Sequence, residues 1–371
     1  MTISEKICNE IASKFFLNEF TYKELYFLNG AVKEELCDGL IECGDAYLVV
    51  QVKERDGGTS TDEKWLESKV YKKAVSQIKK SIEAIKSGKG TTVYDMYDQE
   101  VVVDSKFDIL PVIVFFNDNI SEYCRVWVSS TGLKINVFNG TDYRKMMDTL
   151  KVPVDILDYL GYRTNLLGKA KSLPTFIIDD QEDCARIGRI ANEQDFAQFF
   201  AMREFDKTNE TEIAIENFLF ILRNFRERMT FGKFCKDYKE VLKKLIIMKR
   251  RAIKEFIARW LDISKNKVLK TPVYDRFMIF QRSDGETYGF LFIKSKRGIK
   301  EDNMNFYSFL IELFSQKFKI NTVVLFISYK DTAEGFDYYI ETIYSEKEYK
   351  PDEEIIKILA KADPWQHGKA V

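Results

Sequence analysis

The stretch Glu35-Leu-Cys-Asp-Gly-Leu-Ile-Glu-Cys-Gly-Asp-Ala-Tyr-Leu-Val-Val-Gln-Val-Lys53 decides how the first half of this chain reads. Gly44-Asp45 separates two apolar-rich runs, and that pair of residue types favours a two-residue hairpin turn. Strands are therefore expected over 34–43 and 46–53. With the turn centred at 44–45, Asp38 falls directly opposite Gln51. Period-two alternation puts Lys53 on the same face, one diagonal step from Asp38. Leu48, Val50 and Val52 take the other face and can enter a core.

Asp and Gln are poor strand formers, yet here they face each other beside a lysine on an otherwise apolar hairpin. Local mismatches of this kind mark functional sites. The Asp38 carboxylate, the Gln51 side-chain carbonyl and the Val52 backbone carbonyl are hard oxygen donors suited to Mg²⁺ or Mn²⁺. Lys53 can orient or deprotonate a water and stabilise charge building on a phosphate. The same pattern also fits an exposed Asp–Lys ion pair on an arbitrary hairpin.

Composition narrows the chemistry. Of 371 residues only one is a histidine, His367 in the C-terminal tail. Ser-His-Asp and Cys-His catalysis and His-ligated zinc are therefore disfavoured, leaving carboxylates, lysine and a bound cation. Basic and acidic residues number 57 and 58, so any contact with a polyanion must come from local patches. The charged N-terminus lacks a signal-peptide core, and no run of apolar residues is long enough to span a membrane. Six cysteines without a CxxC pair fit a reduced, cytoplasmic protein.

The Asp38, Gln51 and Lys53 pattern resembles the PD-(D/E)xK nuclease superfamily, in the QxK variant found in Mrr-type restriction endonucleases. The resemblance covers roughly residues 1–120. It implies a restriction-endonuclease-like α/β fold, a mixed sheet flanked by helices. It also implies metal-dependent hydrolysis of phosphodiester bonds, with DNA ahead of RNA as substrate, and a place in restriction or anti-phage defence. A homodimer or a defence-system partner protein is implied as well, or else a catalytically silent scaffold of the same fold binding nucleic acid or protein. No proline precedes Asp38. Glu10, Glu19, Glu24, Glu34 and Glu35 are all candidates for the acid that completes the site. Strict alternation gives Glu34 the face of Asp38, whereas the compact Glu35-Leu-Cys-Asp38 grouping favours Glu35. In similar families a Gln or Lys on the next helix meets the active site or the nucleic-acid backbone. Here Lys69, Lys73, Gln77 and Lys80 stand at helical spacing and suit a phosphate track, although an ordinary solvated face has the same look.

Outward from the hairpin, apolar spacing predicts a helix over 4–20 and a strand at about 23–28. Beyond it come a long helix over 63–87, a buried central strand at 109–116, strands at 123–129 and 133–138, and helices over 141–150 and 153–161. Residues 1–168 form the expected nuclease-like domain, 169–190 a linker, 191–265 a helical region and 266–371 an α+β domain. Helices are expected over 192–205 and 210–262. Within the latter, Lys243, Arg250 and Lys254 share one helical face. A two-residue turn at Asp284-Gly285 would set Asp275 opposite Lys294.

Overall fold

The computed structural model describes residues 2–23, 25–29, 32–55, 57, 60–88, 91–120, 123–170, 208–228, 238–265, 277–282, 285–295, 301–329, 339–361 and 365. It divides into two compact units, Met1–Asp206 and Lys207–Val371. The segment read as a linker lies, from 171 onward, outside the described residues, as does the helix expected over 192–205.

The first unit opens with α1 (Ile3–Phe16). Its start is fixed by a capping box in which Thr2 and Glu5 satisfy each other's backbone N–H groups. Next come β1 (Thr21–Lys23), β2 (Tyr26–Asn29), β3 (Val32–Glu35), β4 (Gly39–Cys43) and β5 (Ala46–Glu54). A single long helical arm follows in three parts: α2 (Asp62–Trp65), a π-helical segment (Leu66–Ala74) and α3 (Val75–Lys86). Then come β6 (Thr92–Asp95), β7 (Glu100–Val102), β8 (Asp108–Phe116), β9 (Cys124–Val128), β10 (Lys134–Asn139), α4 (Gly140–Leu150) and α5 (Pro153–Ala170).

Eight strands form one mixed sheet in the order β7-β6-β1-β4-β5-β8-β10-β9. β8 lies between β5 and β10 and is parallel to both. Burial on both faces explains its continuous apolar run, with Val112, Ile113, Val114 and Phe115 fully inside. The helical arm covers one face: Trp65, Val70, Ala74, Val75 and Ile78 pack on Ile113, Phe115, Ile135 and Val137. On that same face Ile85 of α3 meets Leu40, Tyr47 and Val49. α1, α4 and α5 also pack on this sheet, α1 against β4 and β5, the other two against β8 and β10.

The β4–β5 register is the expected one: Gly39 pairs with Val50, Leu40 with Val49 and Cys43 with Ala46. Gly44 has φ +60°, and Asp45 is not among the positive-φ residues. That is the φ pattern of a II′ turn with glycine in first place. The strand expected over 34–43 is broken. It ends at Glu35 and resumes at Gly39, because the chain between them changes sheets. β3 instead pairs with β2 in a separate two-stranded sheet, where Glu34 opposes Phe27 and Glu35 opposes Tyr26.

The second unit has α6 (Asn209–Arg223), α7 (Phe225–Arg228), α8 (Tyr238–Ile246) and α9 (Arg250–Lys265), then β11 (Phe277–Gln281) and β12 (Thr287–Lys294). α10 (Glu301–Phe318), β13 (Thr322–Tyr329), β14 (Tyr339–Glu346) and α11 (Glu353–Lys361) complete it. Its sheet runs β11-β12-β13-β14, with only the middle pair parallel. Phe256 of α9 packs edge-on against Phe290, Phe292 and Phe326, so it is core. Asp275 lies outside the described residues. The β11–β12 register differs by one residue from the expected one, pairing Phe277 with Leu291. The reason is a three-residue connection: Arg282 N–H donates to the Glu286 carbonyl, and Gly285 takes φ +95°.

The basic face imagined at Lys243, Arg250 and Lys254 is split between two helices. Lys243 pairs with Glu240, Arg250 with Glu212 and Lys254 with Glu210, and Arg250 is buried. These cations are engaged within the unit. No described helix is long and apolar enough to cross a membrane.

Candidate active site

Asp38 stands one residue before β4, yet it is tied to β5 twice. Its backbone N–H donates to the Val50 carbonyl at 3.1 Å, and its Oδ2 accepts from the Val52 N–H at 2.6 Å. The hairpin register therefore reaches Asp38 and sets it across from Gln51, as the sequence implies. Gln51 is 1% exposed. Lys53 Nζ donates to Gln51 Oε1 at 3.2 Å and to the Val52 carbonyl at 2.7 Å, and lies 3.6 Å from Asp38 Oδ2. The three oxygens expected to hold a cation thus converge on one point, and the Lys53 ammonium is there.

Burial dominates the electrostatics. It raises the Asp38 carboxyl above the ordinary range, opposed by the Lys53 ammonium and the Val52 N–H and reinforced by Glu5. It lowers the Lys53 ammonium, opposed by Asp38 and reinforced by Lys73. An acid pushed up beside a base pushed down brings the two protonation states closer in energy, the condition under which a proton passes between them. Perturbed pairs of this kind gather at functional sites.

Two acids stand in this field. Glu35, the last residue of β3, is raised by burial, then by Asp38 and Glu5. Glu5, on the first turn of α1, raises both Asp38 and Glu35 and was not foreseen. Its only sequence signal was the Thr2–Glu5 capping pattern, which fixes where α1 begins. α1 also passes close to the hairpin at Gly39, where an added Cβ would lie 3.3 Å from Asn9 Oδ1. Glu10 pairs with Lys6 on the surface, Glu19 is buried, and Glu24 is outside the described residues. Among the described residues no group of three or more His, Cys, Asp or Glu side chains is placed to hold a metal. Any cation here depends on Asp38 with the amide and backbone oxygens of Gln51 and Val52.

No family model, no curated protein and no solved structure matches this chain. Function must therefore be argued from the geometry.

The four residues expected on a single helix face do not share one α-helical stripe. Lys69 and Lys73 lie in the π-helical segment, Gln77 and Lys80 on α3. Within the segment hydrogen bonds run i→i+5, so the spacing that aligns i and i+4 in an α-helix fails. Glu67 and Lys72, five apart, meet at 2.8 Å as that wider winding requires. Lys73 is brought into the field of Lys53. Gln77 has its Oε1 buried with no hydrogen-bond partner. Lys69 and Lys80 are exposed, and no ion pair to a described residue holds them.

Proposed function

We propose that the first unit is a metal-dependent nuclease of the PD-(D/E)xK type with a restriction-endonuclease-like fold. The observation that carries this reading is the convergence of Asp38, Gln51 Oε1 and the Val52 carbonyl on the Lys53 ammonium. The donor set fits Mg²⁺ or Mn²⁺, both oxygen-seeking cations. When bound there, such a cation supplies charge neutralisation at the scissile phosphate.

The chain's own groups do the rest. Asp38, Gln51 and the Val52 carbonyl would hold the cation, with Glu35 and Glu5 adding negative field. Lys53 then turns from the oxygens towards the substrate, where its ammonium stabilises charge growing on the phosphate. As water attacks phosphorus its proton passes to solvent, and the Lys53 ammonium gives one to the leaving oxygen as the P–O ester bond breaks, regaining it from solvent. Lys73 and Gln77 line the helical flank beside the site and contact the substrate backbone, while Lys69 and Lys80 extend that track. Duplex DNA is the first substrate to test, and restriction or defence, acting as a dimer or with a partner protein, is the setting that the resemblance implies.

A second reading is a silent scaffold that binds nucleic acid or a protein. It is favoured by the absence, among the described residues, of a metal-holding group of three or more His, Cys, Asp or Glu side chains and by the lysine seated in the cation position. Nicking of supercoiled plasmid with Mg²⁺ or Mn²⁺, comparing wild type with Lys53→Ala and Asp38→Ala, separates the two. Cleavage lost in both variants supports the nuclease. Metal-free DNA binding that is indifferent to Lys53→Ala, with no cleavage of any substrate, supports the scaffold.

A further inference from the structure

Three of the four tryptophans, Trp65, Trp260 and Trp365, are buried. The fourth, Trp127, is half-buried on β9, an edge strand of the large sheet. It pairs with Ile135 and joins the cluster under α3, so its indole lies on the sheet face that the helical arm covers. The Lys79 ammonium of α3 sits over that ring, 5.6 Å from its centroid. Lys72, Lys73 and Lys80 are exposed on the same helical arm, and Lys73 reaches into the field of the candidate site. Of these, only Lys72 is held in an ion pair by a described residue, Glu67. An aromatic side chain at a sheet edge, beside cations of which Lys73, Lys79 and Lys80 are in no ion pair with a described residue, matches what a flexible polyanion with planar bases requires.

We infer that Trp127 and Lys79 form a platform for single-stranded nucleic acid, the indole stacking a base while the ammonium meets a neighbouring phosphate. Strand registry sets Trp127 level with Val49, through Ile135, Pro111 and their partners. Three strand spacings and four residues of rise place it about 20 Å from Lys53, within reach of a short oligonucleotide laid over α3. The single-stranded form follows from the stacking. Bases inside a duplex already cover each other's faces, and only an unpaired base can lie on the indole. The inference rests on the nuclease reading for the identity of the ligand, but binding at this platform needs neither a cation nor the Asp38–Lys53 pair.

The test uses the full chain in EDTA, titrated with an oligothymidylate of about 16 nucleotides and read by tryptophan fluorescence. With the other three indoles buried, binding should quench Trp127 alone, and Trp127→Phe should abolish the quench. Lys79→Ala, an exposed change that leaves the core intact, should weaken binding about 10-fold and flatten its salt dependence by about 0.7 in log–log slope. A duplex of equal length should leave the fluorescence unchanged. Quenching by the duplex to the same extent, quenching that survives Trp127→Phe, or no binding of the oligonucleotide would each overturn the inference. Failure of plasmid cleavage with retained quenching would remove the nuclease reading and leave the platform standing. Cleavage without quenching would do the reverse.

Discussion

Replacing the charges of the Asp38–Lys53 pair one at a time and together gives the sharpest check on the site. The Asp38 side chain is 5% exposed and that of Lys53 14%, so neither charge has much solvent to fall back on. Lys53→Met leaves the Asp38 carboxylate with the Val52 N–H as its one hydrogen bond from this group. Stranding a buried charge costs about 3–5 kcal/mol, and the surviving 2.6 Å bond argues for the lower end, about 3 kcal/mol. Asp38→Asn keeps the shape and the acceptor for Val52. It leaves Lys53 with two neutral oxygens, Gln51 Oε1 and the Val52 carbonyl, and should cost about 1–2 kcal/mol. The double variant has no buried charge left and should return to within about 1 kcal/mol of wild type, because neutral replacement of a whole buried pair is often harmless. The implied coupling is at least about 3 kcal/mol. Hydrogen exchange of the amides in residues 46–54 reads it within the first unit alone, avoiding a two-unit denaturation curve. If the two single effects add to within about 0.5 kcal/mol, the charges do not interact and the account of the site fails.

Acid should rescue Lys53→Met. The Asp38 carboxyl is raised in the fold, so its neutral form is the one the fold prefers. Stability from this group is present below the ordinary carboxylate range and is lost as pH rises through the raised value. The deficit of Lys53→Met against wild type should therefore shrink as pH falls through that window, and a deficit flat with pH would contradict the assignment. Chelation should leave the melting temperature unchanged, because the Lys53 ammonium already satisfies the three oxygens; a fall in Tm with EDTA would show a cation holding the fold. Cys8 is buried and its thiol pushed up to about 12 by burial and by the Asp38 and Glu5 carboxylates, so it should resist iodoacetamide until the unit unfolds. In the second unit, Gly289→Ala would bring a Cβ to 2.3 Å from Cε1 of the fully buried Phe314. It should cost about 1–3 kcal/mol in urea unfolding while plasmid cleavage stays at the wild-type rate.

The hairpin register was legible because one turn fixes it: with Gly44-Asp45 at the tip, Asp38 has no partner position other than Gln51. The central strand was legible for a similar reason, since Ile109 to Phe116 is apolar throughout. β6 and β7 were missed because Thr92–Asp95 and Glu100–Val102 are short and carry polar residues, with Tyr94 and Val102 turned partly or fully to solvent. The break at Leu36-Cys37 needed knowledge of two separate sheets. Glu5 escaped because it reaches Asp38 only through the packing of α1 on the hairpin, and no local pattern encodes that. The π-helical segment has no propensity signature, so four residues at α-helical spacing were grouped as one stripe.

That segment also sets which way the cations at the start of the helical arm point. In α winding, residues five apart lie about 140° from each other around the axis, so Glu67 and Lys72 can meet only while the segment stays wide. Their ion pair sits at the five-residue spacing that the wide winding brings together. α3 beyond it is fixed on the sheet at Ile78 and Ile85. The bearing of Lys69 around the axis, relative to α3, therefore depends on the winding and number of residues between it and Val75. Deleting one of them would rotate Lys69 by about 100° relative to α3, changing where the cation points without touching a residue of the sheet.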